Sequence, residues 1–147
     1  MKSIFKLLFV AFLTVAPLTV NAQSNVAHIN VQQLISEMPE VIAAQNELAK
    51  LEKDYTTQID NAFKEFQTKA QSYSSDAANQ TDVTNQARQK ELESMQTNLQ
   101  EFRDSAAQEL QKKQMDLMTP LLEKARNAIT KVGEEQGFNY VIDSSPN

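Results

Sequence analysis

The chain has 147 residues, and its 14 Lys and Arg against 19 Asp and Glu give a net charge of −5 at pH 7. Acidic residues spread through the chain in this way argue against nucleic acid as the main partner. The absence of cysteine excludes disulfide bridges and thiol chemistry, and two glycines with no tryptophan are more typical of long helices than of a compact globule.

Residues 1–22 have the pattern of a secretory signal peptide. A start with two lysines precedes the apolar run 7–15, and the small-residue site 20–22 predicts cleavage after Ala22. A membrane anchor is the alternative, but the run is well short of the ~20 residues that a spanning helix needs, and Pro17 interrupts its end. The expected mature chain, 23–147, is one domain in length and is more acidic than the whole chain, since its leader carries only positive charge.

Two short segments from opposite ends of the mature chain are predicted to be strands. Segment 26–31 is partly alternating and rich in β-branched residues, and segment 138–143 is predicted to be the second strand. The predicted buried face of the first strand consists of Ala27, Ile29 and Val31. Asn30 is expected to cap a short helix over 31–38. Each strand would have unpaired edges in a single chain, so we expect association to complete this part of the fold.

The middle of the chain predicts a long helical hairpin. Apolar residues recur in steps of three and four over 41–73 and again over 92–117, where Lys113 alone interrupts the series. The polar segment 74–82 separates the two series, and Thr81 or Asp82 within it can cap the return helix. A fold-back near Asn79 brings the two apolar stripes into register, with these expected pairs: Leu48 with Leu110, Ile59 with Leu99, Phe63 with Met95, and Tyr55 with Phe102 or Ala106.

Prolines mark the predicted boundaries of this hairpin. Pro39 suits the first turn of a helix, whereas Pro120 should make the return helix kink or restart. The predicted arm is therefore 39–119, and the body comprises 23–38 and 120–147. Gly137 is expected to end the last helix. The fold class is mainly α with a small β part: an antiparallel coiled-coil hairpin that projects from a β-containing body.

The sequence offers no recognisable catalytic, cofactor or metal site. His28 is the only histidine, and both glycines lie in the last fifteen residues, so neither a metal-binding set nor a phosphate-binding loop is predicted. The carboxylates follow helical spacing and are interpreted as a solvated outer face, with i,i+4 pairs such as Glu109–Lys113.

Aromatic side chains on the arms are the main candidates for a binding role. Phe66, Met95 and Phe102 are interpreted first as contacts that join the two helices. Phe63 lies beside the apolar stripe and Tyr73 lies near the tip, so these two are the better candidates for apolar surface offered to a partner.

The two ends of the chain resemble the Skp (OmpH) family of periplasmic chaperones. The resemblance is carried by 26–35 with Met38-Pro39-Glu40, and by 120–129, Val132, Glu135 and 137–143. It implies a homotrimer whose strands form a shared β-barrel body, and three hairpins that surround a cavity. It also implies that unfolded outer-membrane proteins are held in this cavity without ATP. The residues assigned to client contact are Tyr55, Phe63, Phe66 and Tyr73, and those assigned to the oligomer body are Ile29, Val31, Tyr140 and Ile142.

The chain departs from the family in two ways. Family members usually continue past the strand at 140–143, so a weaker trimer is expected of the chain as given. Well-known members are also basic, so electrostatic attraction to acidic clients or lipid is not expected of this acidic chain. The resulting hypothesis is a periplasmic, non-enzymatic holdase without cofactors that meets the membrane only indirectly and does not bind nucleic acid. A structural coiled-coil spacer or adaptor of the cell envelope is the alternative.

Overall fold

A computed structural model of the chain describes residues 25–146; the predicted signal peptide lies outside them. Six elements follow in order, and their bounds are β1 (Val26–Ile29), α1 (Val31–Glu37), α2 (Pro39–Asp76), a single 3₁₀ turn (Ala77–Asn79), α3 (Asp82–Glu135) and β2 (Tyr140–Asp143). The architecture is mainly α with a small β part, as predicted. Among the helices of residues 25–146, none is long and apolar enough to cross a membrane.

The long helices α2 and α3 form the predicted antiparallel hairpin. The chain reverses through the 3₁₀ turn, which confirms a fold-back near Asn79. The hydroxyl of Thr81 accepts a hydrogen bond from the N–H of Thr84 at 3.2 Å and so caps the start of α3. With a rise of about 1.5 Å per residue, the 38 residues of α2 give an arm about 55 Å long.

Contacts between the arms confirm the predicted pairing of Tyr55 with Phe102. The rings of Tyr55 and Phe102 meet edge to face, with centroids 6.1 Å apart. Lys113 interrupts the apolar series of α3, and its ammonium group forms an ion pair with the Glu47 carboxylate across the hairpin at 2.8 Å. The predicted outer-face pair of Lys113 with Glu109 is therefore wrong. The buried apolar residues lie along the contact between the helices: Val41, Ala44, Leu99, Ala106 and Ala125.

The register predicts which positions of the arms can be crosslinked. Cysteines at Leu48 and Leu110 should form a disulfide readily, because the predicted register makes these positions face each other across the hairpin, where α-carbons come within disulfide range. Cysteines at Leu48 and Met95 are expected to stay reduced under the same oxidant. Non-reducing electrophoresis distinguishes the two pairs, and equal crosslinking of both would contradict this register.

Helix α3 continues through Pro120. The helix runs unbroken from Asp82 to Glu135 with Pro120 inside it, so the predicted restart at this residue does not occur. Pro120 and Asp116 are both exposed, and the Asp116 carbonyl that loses its helical donor can bond water instead. Ala125, one turn later, is buried, and packing on that side holds the helix together beyond the proline.

The two strands pair with each other in a parallel sheet, with Val26 opposite Tyr140 and Ile29 opposite Asp143. The expectation that both edges of each strand stay unpaired is therefore wrong, because each strand uses one edge within the chain. The first strand also ends earlier than predicted. Val31 begins α1, since its N–H donates to the Asp143 carboxylate at 3.3 Å instead of to a strand.

The N–H groups in the first turn of α1 are capped by side chains from both ends of the described chain. Asn30 caps it as predicted, because its side-chain oxygen accepts from the N–H of Gln33 at 2.8 Å. The Ser145 hydroxyl accepts from the N–H of Gln32 at 3.1 Å, and Asp143 accepts from Val31. Three of the four N–H groups that a helix start leaves unpaired are thus satisfied, and β2 is fastened to α1.

Both glycines of the chain have a structural role at the end of α3. Gly137 has a φ of +72° and ends the helix, as predicted. The N–H of Phe138 donates to the Gly133 carbonyl at 2.9 Å, so Phe138 lies in the turn and the second strand begins only at Tyr140. Gly133 is buried, and a Cβ there would lie 3.0 Å from Cγ2 of Val141. A glycine at 133 therefore lets β2 lie directly on α3.

Candidate functional site

Polar contacts between the arms form a single row from the base of the hairpin to its tip. On α2 the row uses residues spaced by multiples of about 3.6, so they lie on one side of the helix. We call this side the charged face and the contacts the polar row. The pairs, from base to tip, are Glu40–Lys124, Glu47–Lys113, Tyr55–Glu109, Lys69–Glu91, Tyr73–Glu91 and Asp76–Arg88.

The polar row shifts the pKa values of its members. A hydrogen bond from Lys69, with a second from the Tyr73 hydroxyl, lowers the pKa of Glu91. The hydrogen bond from Lys124 lowers the pKa of Glu40 in the same way. Conversely, the hydrogen bond to Glu47 raises the pKa of Lys113. Each shift favours the charged form, so the row is fully formed near neutral pH.

At the tip, the row holds Tyr73 in place. Its hydroxyl donates to Glu91 at 2.6 Å, and the Arg88 guanidinium lies 4.7 Å from the centre of its ring. Arg88 also bonds Asp76 at 3.0 Å, which lowers the pKa of that carboxyl. The ring and the hydroxyl of Tyr73 thus both have partners within the chain.

Acid should weaken the polar row. Because the pKa of Glu91 is lowered in the folded state, its contribution to stability is present above the ordinary value of 4.5 and is lost as the pH falls through the folded value. We expect the urea midpoint of unfolding to fall on acidification from about pH 6 to about pH 3, and Glu91→Gln to reduce this dependence. Glu93→Gln, outside the row on the same helix, is the control. The same slope for both variants would contradict a contribution from the row.

The opposite side of the hairpin exposes apolar surface. A hollow between the arms is lined by Phe63, Phe66, Leu99, Gln96, Gln100 and Arg103. The rings of Phe63 and Phe66 stack with centroids 6.5 Å apart, and the guanidinium of Arg103 lies 6.0 Å from the centre of the Phe63 ring. Phe63 remains 39% exposed, which is unusual for a large apolar side chain beside the contact between two helices.

The four predicted client-contact residues occupy different environments. Phe63 and Phe66 are brought together at the hollow, with Phe63 the more exposed. Tyr55 is half-buried against Phe102, and its hydroxyl donates to Glu109. Tyr73 is half-buried at the tip, well separated from the other three along the arm.

Three exposed apolar residues near the base of the arms were not assigned to client contact from the sequence. Ile42, Met115 and Leu122 are 47%, 61% and 45% exposed. Ile42 and Met115 lie off the main apolar stripe, and that displacement was the available signal, since an apolar residue outside the stripe faces away from the partner helix. Leu122 lies in the apolar series that follows Pro120, where spacing alone favours burial.

The four residues predicted for the oligomer body divide between the two faces of the sheet and α1. Ile29 is half-buried on the inner face, which lies against α3, and Val31 starts α1. Tyr140 and Ile142 are exposed on the outer face, next to Val26 and His28. We call the set Val26, His28, Tyr140 and Ile142 the outer sheet face.

The described residues form no recognisable catalytic or metal site. Within residues 25–146, no group of three or more His, Cys, Asp and Glu side chains is placed to hold a metal ion. His28 lies on the outer sheet face, and the carboxylates that approach other groups between the arms do so within the polar row.

Comparison with known protein families gives a match that covers the described residues. A family model described as outer membrane protein (OmpH-like) matches residues 25–147, which includes both strands and the whole hairpin. No curated protein matches the chain.

Proposed function

Since the chain belongs to the OmpH-like family, a family of periplasmic chaperones for outer-membrane proteins, we propose that it is an ATP-independent holdase for unfolded outer-membrane proteins. It binds them between its helical arms and releases them without covalent chemistry. The signal peptide predicted in residues 1–22 delivers it to the periplasm.

The observation that carries the proposal is apolar surface spread along thin, exposed arms. The arms are two helices thick, and residues such as Phe63 and Met115 are exposed along them. On arms this thin, a partner without fixed structure can reach such dispersed contacts one at a time. Of the four predicted contact residues, Phe63 has the most accessible ring and is the first candidate.

The proposal includes assembly into a homotrimer through the body. The outer sheet face supports it, because Tyr140 and Ile142 are 66% and 55% exposed although both suit a buried sheet. Each strand also keeps one unpaired edge in the single chain, which another copy can use.

Assembly through this face makes a testable prediction. Tyr140→Ser with Ile142→Ser should lower the association constant by about 100-fold or more, since each side chain loses about 1.5–3 kcal/mol of burial at every interface that it forms. Sedimentation equilibrium measures the change, and circular dichroism should show unchanged helix content. Lys131→Ser on exposed α3 is the control. A double variant that assembles like the wild type would contradict this interface.

The function is tested by dilution of a urea-unfolded outer-membrane β-barrel protein into buffer with the purified mature chain. A holdase suppresses light scattering in proportion to its concentration and needs no ATP. The spacer or adaptor alternative predicts saturable binding to one folded partner and undiminished scattering by the diluted client. Undiminished scattering would therefore overturn the proposed function.

A further inference from the structure

The two broad faces of the hairpin differ in charge near its base. A groove on the charged face is lined by Glu47, Lys50, Asp54, Glu109, Lys112 and Asp116, among others. Another hollow at the same height is lined by Gln45 and Met118 together with Ile35 of α1. Gln45 is two residues from Glu47, and Met118 is two residues from Asp116, so each pair is separated by about 200° around its helix. The two hollows therefore lie on opposite faces.

The second of these faces is continuous with the hollow around Phe63. Phe63 follows Gln45 by 18 residues, and Gln100 precedes Met118 by the same number, which is five full turns in each helix. Both Phe63 and Gln100 line the hollow between the arms. We call this continuous side the open face.

The open face also carries the exposed apolar residues near the base. Ile42 precedes Gln45 by one turn, and Met115 and Leu122 lie one turn to either side of Met118. Over the three turns nearest the base its members are uncharged: Ile42, Gln45 and Ala49 on α2, and Gln111, Met115, Met118 and Leu122 on α3. Charged residues join the same face farther out, with Glu52 on α2 and Arg103 and Asp104 on α3. Among residues 25–146, no ion pair joins the two arms across this face.

We propose that unfolded client chains bind the open face of each hairpin and not its charged face. The inference rests on the proposed holdase function and specifies the surface that performs it. The polar row covers the apolar contact between the helices on one side with paired, hydrated charges. On the open face apolar side chains remain accessible. An apolar segment of a client can therefore bury its surface there without removing water from a charged group.

The distribution of the apolar groups favours an unfolded polypeptide over a second copy of this chain. Ile42 and Phe63 are 21 residues apart on α2, a distance of about 30 Å, with polar residues between them. A stable interface between folded proteins buries about 800 Å² per partner around a contiguous apolar core, which separate points do not provide. Flexible Met side chains and neutral Gln side chains adapt to varied sequences, as a client without fixed structure requires.

Two single-cysteine variants test the inference, since the natural chain has no cysteine. Met115→Cys places a label on the open face, and Ser105→Cys, four residues before Glu109, places one on the charged face. Each carries a polarity-sensitive fluorophore and is mixed with a urea-unfolded outer-membrane β-barrel protein on dilution. We expect a blue shift of emission at position 115 and none at position 105.

The outcomes separate this inference from the proposed function. Equal shifts at both positions, a larger shift at 105, or no shift at either while the client stays soluble would overturn the open face as the binding surface and leave the holdase function standing. A shift at 115 that needs only a higher concentration of the protein itself would assign that face to a second copy. A client that precipitates despite the wild-type chain would overturn the proposed function itself.

Charge insertion provides an independent measurement with a matched control. Ile42→Glu with Met115→Glu adds two negative charges to the open face, and Ala43→Glu with Ser105→Glu adds two to the charged face of the same helices. All four positions are exposed. The open-face variant should need about tenfold more protein for half-maximal protection of the client, and the control about the same amount as the wild type. Equal losses in both variants would contradict the inference.

Discussion

Gly133→Leu should separate β2 from α3 and lower the free energy of unfolding by about 1–2 kcal/mol. Even a Cβ at this position would lie 3.0 Å from Cγ2 of Val141, and the rest of a leucine side chain has no space beneath the strand. Overpacking of this kind costs about 1–3 kcal/mol or more, against a gain of about 1 kcal/mol because leucine favours a helix over glycine. Urea unfolding followed by circular dichroism measures the difference.

Smaller substitutions identify the clash as the cause. In Gly133→Ala the higher helix propensity of alanine stabilises the fold, and the close contact of the new Cβ with Val141 destabilises it. The net change in the free energy of unfolding should therefore be small. Val141→Ala removes the contacting methyl group, and the double variant Gly133→Ala with Val141→Ala should be more stable than the two single effects predict. If Gly133→Leu matched the wild type in stability, the close approach of β2 to α3 would be contradicted.

Pro120→Ala should raise the free energy of unfolding by about 2–3 kcal/mol. Proline inside a helix costs about 3 kcal/mol, because it removes one hydrogen bond and crowds the carbonyl group four residues earlier. Alanine at 120 restores the N–H donor for the carbonyl of Asp116. Since Pro120 is exposed, its ring contributes little packing that the substitution would remove.

A neighbouring substitution separates this effect from helix propensity. Thr119→Ala, also on the exposed side of α3, changes propensity alone and should stabilise by about 0.5 kcal/mol. A Pro120→Ala variant that gains no more than Thr119→Ala would mean that α3 accommodates the proline without cost. Chemical denaturation of both variants at several protein concentrations separates this change in stability from any change in assembly.

Several structural features depend on local sequence alone, and these were predicted correctly. The hairpin follows from apolar spacing near 3.6, which sets the buried side of each helix whatever lies opposite. The cap of α1 by Asn30, the cap of α3 by Thr81 and the glycine end at Gly137 each depend on residues within one turn. The fold-back near Asn79 follows because only one polar break separates two stripes of similar length.

The candidate site was predictable only in part. Phe63 was identified because it lies beside the stripe, and its exposure agrees with that position. Ile42 and Met115 were missed, because a scattered apolar residue gains meaning only when its neighbours on the second helix are known. The engagement of Tyr73 by Arg88 and Glu91 joins α2 to α3 at the tip, so spacing within one helix could not reveal it.

Other features were decided only by the tertiary structure, because they join groups that are remote in the chain. The choice of Glu47 over Glu109 as the partner of Lys113 is made across the hairpin, where local i,i+4 spacing competes with a closer carboxylate on α2. The parallel pairing of β1 with β2 joins residues from opposite ends of the described chain, and the bond from Val31 to Asp143 spans 112 residues. Gly133 had no sequence explanation because Val141, the residue that excludes a larger side chain there, reaches it only after the chain has turned at Gly137. Local periodicity thus determined the helices and their ends, whereas the meeting of distant side chains determined the sheet, the polar row and the difference between the two faces of the arms.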